Sequence, residues 1–177
     1  HDLKDLRPVK AEALIRWQRP DGRYVGPDVF IGLAEEIGLI GEIGQFAFES
    51  SVRQIPAWKE TASYLVGVSV NLSPRQISGD RSNFQSWLAL LEREGIPAEH
   101  VTLEITEGTL LDDSPVIRDK LARLREAGCS IALDDFGTGY SSLAYLKRFP
   151  IDTIKIDRTF VKDLDTESEQ AAIATAA

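Results

Sequence analysis

Short stretches of this chain alternate strictly between apolar and polar residues. In Val101–Thr106, Val101, Leu103 and Ile105 share one parity, while Thr102, Glu104 and Thr106 share the other. Successive side chains of a strand point to opposite faces, so the pattern predicts a strand with one aliphatic and one polar face. The same parity sets Val66, Val68 and Val70 against Gly67, Ser69 and Asn71. It sets Ile131 and Leu133 against Ser130, Ala132 and Asp134, and the isoleucines Ile154 and Ile156 against Lys155 and Asp157. Near the N-terminus, Ala13, Ile15 and Trp17 oppose Glu12, Leu14 and Arg16. The predicted strands are Val9–Trp17, Leu65–Leu72, Val101–Thr106, Ser130–Phe136 and Thr153–Asp157.

Helical spacing fills the gaps. Pro27 stands at a first helical position, and that helix is expected to stop at Gly38 as its C′ residue. A second helix is expected from Gly41 to Trp58, bending or ending near Pro56, which has no N–H to donate. Phe84, Trp87, Leu88 and Leu91 recur at helical spacing before Gly95-Ile96-Pro97. Ser114-Pro115 reads as an N-cap with proline at N1, followed by the stripe Ile117, Leu121 and Leu124 and a stop at Gly128. Glu169–Ala177 reads as the start of another helix.

Strands alternating with helices predict an α/β fold with a parallel sheet. A doubly wound sheet, covered by helices on both faces, has strands that are apolar on both faces. Here one face is aliphatic and the other carries small residues, then a polar group near the carboxyl end. A (β/α)8 barrel of the TIM type explains that asymmetry, because its inner face converges on one site at the C-terminal mouth. Such a barrel typically needs about 250 residues, so the 177 residues are expected to form it incompletely, with both ends missing.

Composition narrows the chemistry. With 20 Lys and Arg against 28 Asp and Glu, the net charge is −8, and a general DNA- or RNA-binding role is excluded as the expectation. A small anionic ligand would need a metal or a local basic group to hold it. The lone cysteine, Cys129, precludes an intrachain disulfide framework and a cysteine-based zinc finger, and reads as a buried, inert thiol. Only His1 and His100 are present, so neither a His-rich metal site nor a Ser-His-Asp triad is indicated. No apolar run approaches the roughly 20 residues that span a bilayer, the first residues are too polar for a signal peptide, and no membrane contact by this segment is expected. The chain contains no methionine and so does not start with one, which suggests a piece of a longer or processed polypeptide.

On the shared polar face lie four carboxylates (Glu12, Glu104, Asp134, Asp135), the amide of Asn71 and the amine of Lys155. Each alone has an ordinary structural explanation as a strand-edge acid, turn cap or ion-pair partner. Gathered at one barrel mouth, the carboxylates repel one another and raise one another's pKa unless cations intervene. Hard oxygen donors without thiolate or imidazole suit Mg2+ or Mn2+. A pair of such ions about 3.5–4 Å apart is the usual arrangement for attack of water on a phosphodiester. Lys155 would orient the water or stabilise phosphoryl charge, and Arg16 would clamp a phosphate with its planar fork. The glycine-rich loop after Asp135 suggests a gating or coupling element; neither a dinucleotide fingerprint nor a P-loop is present.

These motifs resemble the EAL-domain family of cyclic-di-GMP phosphodiesterases. The resemblance runs through Glu12-Ala13-Leu14-Ile15-Arg16-Trp17, Pro27-Asp28-Val29-Phe30-Ile31 and Val70-Asn71-Leu72-Ser73. It continues through Glu104-Ile105-Thr106-Glu107, Asp134-Asp135-Phe136-Gly137-Thr138-Gly139-Tyr140-Ser141-Ser142 and Lys155-Ile156-Asp157, nearly the whole chain. It implies a modified TIM-like barrel that opens cyclic di-GMP to linear pGpG in bacterial second-messenger signalling, with two Mg2+ or Mn2+ ions. Glu12, Asn71, Glu104, Asp134 and Asp135 match the metal-binding positions. Glu12, Asp134, Asp135 and Lys155 are the expected catalytic set, Lys155 matching the family's catalytic lysine. Leu14, Arg16, Pro27 and Asp157 are the expected substrate contacts, and Glu107 matches the acid that steadies the loop after the paired aspartates. The family also implies a homodimer, an upstream sensory or GGDEF domain and a bacterial cytoplasmic location, including the cytoplasmic part of a membrane-anchored sensor. A Gln-Pro strand expected before His1 and an Ala-Glu-Gly strand and Gln-Gly expected after Ala177 are absent from the chain, so a fragment with these limits is expected to hydrolyse little or nothing. The competing expectation is a non-catalytic cyclic-di-GMP receptor that signals through dimerisation or a neighbouring domain.

Overall fold

The computed structural model describes Lys4 and residues 7–61, 67–79, 84–111, 114–137 and 148–161. Five strands, β1 (Lys10–Ala13), β4 (Gly67–Asn71), β5 (Val101–Thr106), β6 (Ser130–Phe136) and β7 (Thr153–Ile156), pair in that order. Every pairing is parallel. The sheet curls into a half-barrel, as the parity of the strands predicts for an incomplete barrel.

The aliphatic face carries the core. Val68, Val70, Val101, Leu103, Ile105, Ile131 and Leu133 are all buried. Against them pack helices α2 (Ile40–Val52), α5 (Phe84–Glu94) and α7 (Pro115–Glu126) through Phe48, Val52, Trp87, Leu91, Ile117, Leu121 and Leu124. Phe48 and Trp87 stack with centroids 4.1 Å apart, while Gln45 accepts the Trp87 indole N–H at 2.7 Å. Each large side chain of this kind contributes roughly 1.5–3 kcal/mol by leaving water.

Helix ends follow local chemistry. α1 (Pro27–Glu36) begins with proline at N1, and α7 does the same after the Ser114 cap, whose hydroxyl accepts the Val116 N–H. Both end in a Schellman turn: Gly38 and Gly128 have φ of +78° and +106°, and Leu39 and Cys129 N–H reach back to Ala34 and Leu124 carbonyls.

Two expectations are corrected. The N-terminal strand does not continue to Trp17: it stops at Ala13, and β2 (Trp17–Gln18) instead forms an antiparallel hairpin with β3 (Tyr24–Val25). The turn is made by Arg19–Arg23, with Gly22 at φ +83°. Trp17 is therefore half-exposed, meeting Phe30 edge-on at 6.0 Å rather than facing the sheet core. The helix expected over Gly41–Trp58 is two, α2 and α3 (Gln54–Thr61), broken at Arg53 rather than at Pro56. Pro56 then falls in the first turn of α3, where its missing N–H leaves no intrahelical bond unmade. The helix expected over Glu169–Ala177 lies outside the described residues.

Candidate active site

Each of the five parallel strands delivers one polar side chain to the carboxyl edge of the sheet: Glu12 from β1, Asn71 from β4, Glu104 from β5, Asp134 from β6 and Lys155 from β7. The register explains why they meet. Asn71 sits level with Glu104, while Glu12 pairs with Ser69 and Glu104 with Ala132, each two residues short of the neighbour's site residue. Steps of zero or two keep every side chain on one face. The stagger follows the slope of a curling sheet.

Glu12, Glu104 and Asp134 each offer a carboxylate oxygen, the three lying within 4.8 Å of one another. The Lys155 ammonium sits among them. It donates to Glu104 Oε2 at 2.7 Å and Asp134 Oδ2 at 2.9 Å, and reaches Glu12 Oε2 at 3.4 Å. Asn71 Nδ2 donates to Glu12 Oε1 at 3.0 Å. Glu104 is only 3% exposed, and burial lifts its pKa above the ordinary carboxylate range, against the pull of Lys155. Burial also opposes the Lys155 charge, but its hydrogen bonds to Glu104 and Asp134 win and raise its pKa above that of a free lysine.

The adjacent aspartates diverge. Pairing of β6 with β7 shifts between Leu133 and Phe136, and Asp135 adopts φ +54°. Aspartate tolerates that left-handed conformation better than most residues. Its N–H turns onto the Asp134 carboxylate at 3.0 Å. Asp135 is exposed and lies outside the three-carboxylate cluster. Its pKa is raised by desolvation and by the neighbouring charges of Asp134 and Asp157.

The remaining expected residues fall in three places. Leu14, Arg16 and Pro27 line one groove of about 390 Å³ together with Glu12, Asn71 and Glu104. Leu14 is 57% exposed, and Arg16 Nη1 donates to the Ile15 carbonyl at 2.8 Å. Asp157 is not part of that groove's lining; it caps the short helix α8 (Arg158–Val161). The Thr159 hydroxyl and N–H both donate to it, which lowers its pKa. Glu107, buried at the start of α6 (Glu107–Leu111), accepts the Gly137 N–H at 2.8 Å. The loop beyond Gly137, residues 138–147, lies outside the described residues.

Two groups near the site escape a reading of the strands alone. Lys10 lies two residues before Glu12, its side chain exposed and its ammonium donating to the Thr102 hydroxyl. Desolvation lowers its pKa, although the charge of Glu104 opposes the shift. Glu35 sits in α1, and Pro27, Ile31 and Glu35 all line the groove. Their spacing of four residues is the signal that places Glu35 on the same stripe as Pro27.

Three oxygen-donor carboxylates and an amide, without sulfur or imidazole, suit a hard divalent cation such as Mg2+ or Mn2+. The position the ammonium now takes is where the carboxylates' charge most needs offsetting, so the donor set fits such an ion.

The EAL domain family profile matches residues 1–177. The bifunctional diguanylate cyclase/cyclic di-GMP phosphodiesterase MucR of Pseudomonas aeruginosa is 38% identical over 168 residues, covering 95% of this chain and 24% of MucR. The cyclic di-GMP phosphodiesterase NbdA of the same organism is 39% identical over 179 residues, covering 98% of this chain and 23% of NbdA. The chain thus spans about a quarter of the length of these relatives. A solved structure of the MucR phosphodiesterase in complex with c-di-GMP matches with a TM-score of 0.82 at 39% identity, covering 93% of this chain and 66% of that one. The profile match over the whole chain, the ordered site residues on adjacent strands and the shared fold lead to one conclusion: the chain belongs to the EAL domain family.

Proposed function

We propose that this chain carries the catalytic centre of a metal-dependent phosphodiesterase that hydrolyses cyclic di-GMP to linear pGpG. The observation that carries the reading is the convergence of Glu12, Asn71, Glu104, Asp134 and Lys155, one from each parallel strand, at a single edge of the sheet. Glu12, Asn71, Glu104, Asp134 and Asp135 would hold Mg2+ or Mn2+. When bound, such ions acidify water and offset phosphoryl charge.

The chain's own side chains supply the rest. Lys155 stays protonated at neutral pH, so its ammonium donates hydrogen bonds, either orienting water or holding a phosphoryl oxygen. Arg16 presents its planar fork at the groove beside Glu12 and binds the second phosphate, while Leu14 and Pro27 form the apolar wall against which the nucleotide rests. Asp157, held ionised by Thr159, accepts hydrogen bonds from the substrate. Glu107 anchors the start of the loop after the aspartates through Gly137. The encoded protein is expected to act as a homodimer in the bacterial cytoplasm, next to a sensory or GGDEF domain.

The test is incubation of the encoded protein with cyclic di-GMP and Mg2+ or Mn2+, with products separated by chromatography. Accumulation of pGpG supports the reading. Tight binding that needs no metal and leaves the ligand intact overturns it in favour of a receptor.

A further inference from the structure

Glu35 belongs to no strand, yet it joins the two walls of the groove. Its Oε1 accepts the Ser73 hydroxyl at 2.5 Å, its backbone carbonyl accepts Arg75 Nη1 at 3.3 Å, and its Oε2 lies 4.0 Å from Arg75 Nε. The Ser73 hydroxyl, in turn, accepts the Arg75 N–H as the cap of α4 (Pro74–Ser78). The turn between β4 and α4 is thus fastened to the C-terminal end of α1 through three contacts made by Ser73 and Arg75.

That turn begins at Asn71. Leu72, between Asn71 and Ser73, donates its N–H to the Glu104 carbonyl at 2.8 Å. The Asn71 side chain holds Glu12. A chain of direct contacts therefore runs from Glu35 through Ser73 and Leu72 to Asn71 and Glu12. Glu35 itself faces the same groove and is buried enough, at 23% side-chain exposure, for its hydrogen bond to resist water.

The geometry points to Glu35 as a positioning residue: it fixes the β4–α4 turn against α1, and through it the orientation of the Asn71 amide toward Glu12 and the cation that site would hold. The inference rests on the proposed metal site for its consequence but not for its geometry. Residues that orient the ligands of a metal typically change its affinity by roughly 10- to 100-fold when removed.

The test compares wild type, Glu35→Ala and Glu35→Gln in the encoded protein by two readouts. The first is Mn2+ affinity, followed by electron paramagnetic resonance of the free ion. The second, without metal, is the NMR signal of the Asn71 side-chain amide. Glu35→Ala is expected to bind Mn2+ about 10-fold more weakly and to shift or broaden the Asn71 signal. Glu35→Gln, which keeps an acceptor for Ser73, is expected to stay within about twofold of wild type and to leave that signal in place. If Glu35→Ala fails to fold, Ser73→Ala breaks the same bond from the other side and is expected to behave as Glu35→Ala would. An unmoved Asn71 signal in Glu35→Ala, or Glu35→Gln as damaging as Glu35→Ala, overturns the inference. If wild type binds no Mn2+, the metal reading of the site fails, and the Asn71 signal alone decides whether Glu35 positions it.

Discussion

Replacing Lys155 by methionine keeps the length of the side chain and removes its charge. In the metal-free protein the ammonium is the group that touches Glu104, Asp134 and Glu12 together, at 2.7, 2.9 and 3.4 Å. At an effective dielectric of about 20, a pair of unit charges near 3 Å interacts by roughly 5–6 kcal/mol. Desolvation offsets much of that, and Lys155 is one-third exposed. Truncating one partner of a buried pair costs about 3–5 kcal/mol. The exposure reduces the figure here to about 2–4 kcal/mol. Urea unfolding followed by the fluorescence of Trp58 and Trp87 should show the loss as a midpoint about 1–2 M lower. The deficit has a pH sign. Burial raises the Glu104 pKa in the folded state, so that group stabilises the fold at acid pH and loses this contribution as pH rises through its folded value. Without Lys155 the opposing pull is gone, so the variant should suffer most at neutral pH and approach wild type as Glu104 protonates. Mn2+ at 100 times its Kd adds about 2.7 kcal/mol to whichever form binds it. At one fixed Mn2+ concentration it should help the variant more than wild type, whose carboxylates already hold an ammonium and so bind the ion more weakly. A metal-free variant within about 0.5 kcal/mol of wild type, or a deficit unchanged by Mn2+, would refute this electrostatic account of the cluster.

Leu121→Ala, which empties a fully buried site in the α7 face packed on β6, should cost about 2–5 kcal/mol in the same urea experiment while leaving Mn2+ affinity alone. Ser114→Ala removes the α7 cap and should lower stability by about 1 kcal/mol, read as a shift in Tm. Burial pushes the Cys129 thiol up to about 11, so it should react with a disulfide reagent far more slowly than a free thiol at pH 8 and at full rate once urea unfolds the chain.

Much of the fold was legible because strand parity is a local property. Val101–Thr106 and Ser130–Phe136 appear with the predicted boundaries, and the residues that share a parity share a face. The same rule brought Glu12, Asn71, Glu104, Asp134 and Lys155 to one edge, since a register that keeps the aliphatic residues buried must also keep the polar ones together. What parity does not report is where alternation stops having structural force. Ile15 and Trp17 continue the pattern past Ala13, but the chain leaves the sheet there and returns on itself around Gly22, a turn whose signal lies downstream of the apparent strand. The bulge that sets Asp134 and Asp135 apart arises from pairing with β7, a contact between distant segments. The break at Arg53 likewise answers to the packing of α2 and α3, whereas Pro56 is accommodated in a first turn. Glu35 was hidden for a different reason: its partners Ser73 and Arg75 are about 40 residues away, and only the four-residue spacing from Pro27 through Ile31 hints at its side of the helix.

The most direct test of the central claim is a single-turnover experiment with labelled cyclic di-GMP, comparing the encoded protein with its Asp134→Asn variant in Mn2+. The account predicts that wild type converts the bound ligand to pGpG, while the variant retains the fold and leaves the ligand intact. Equal conversion by both proteins would contradict it, as would intact ligand on wild type.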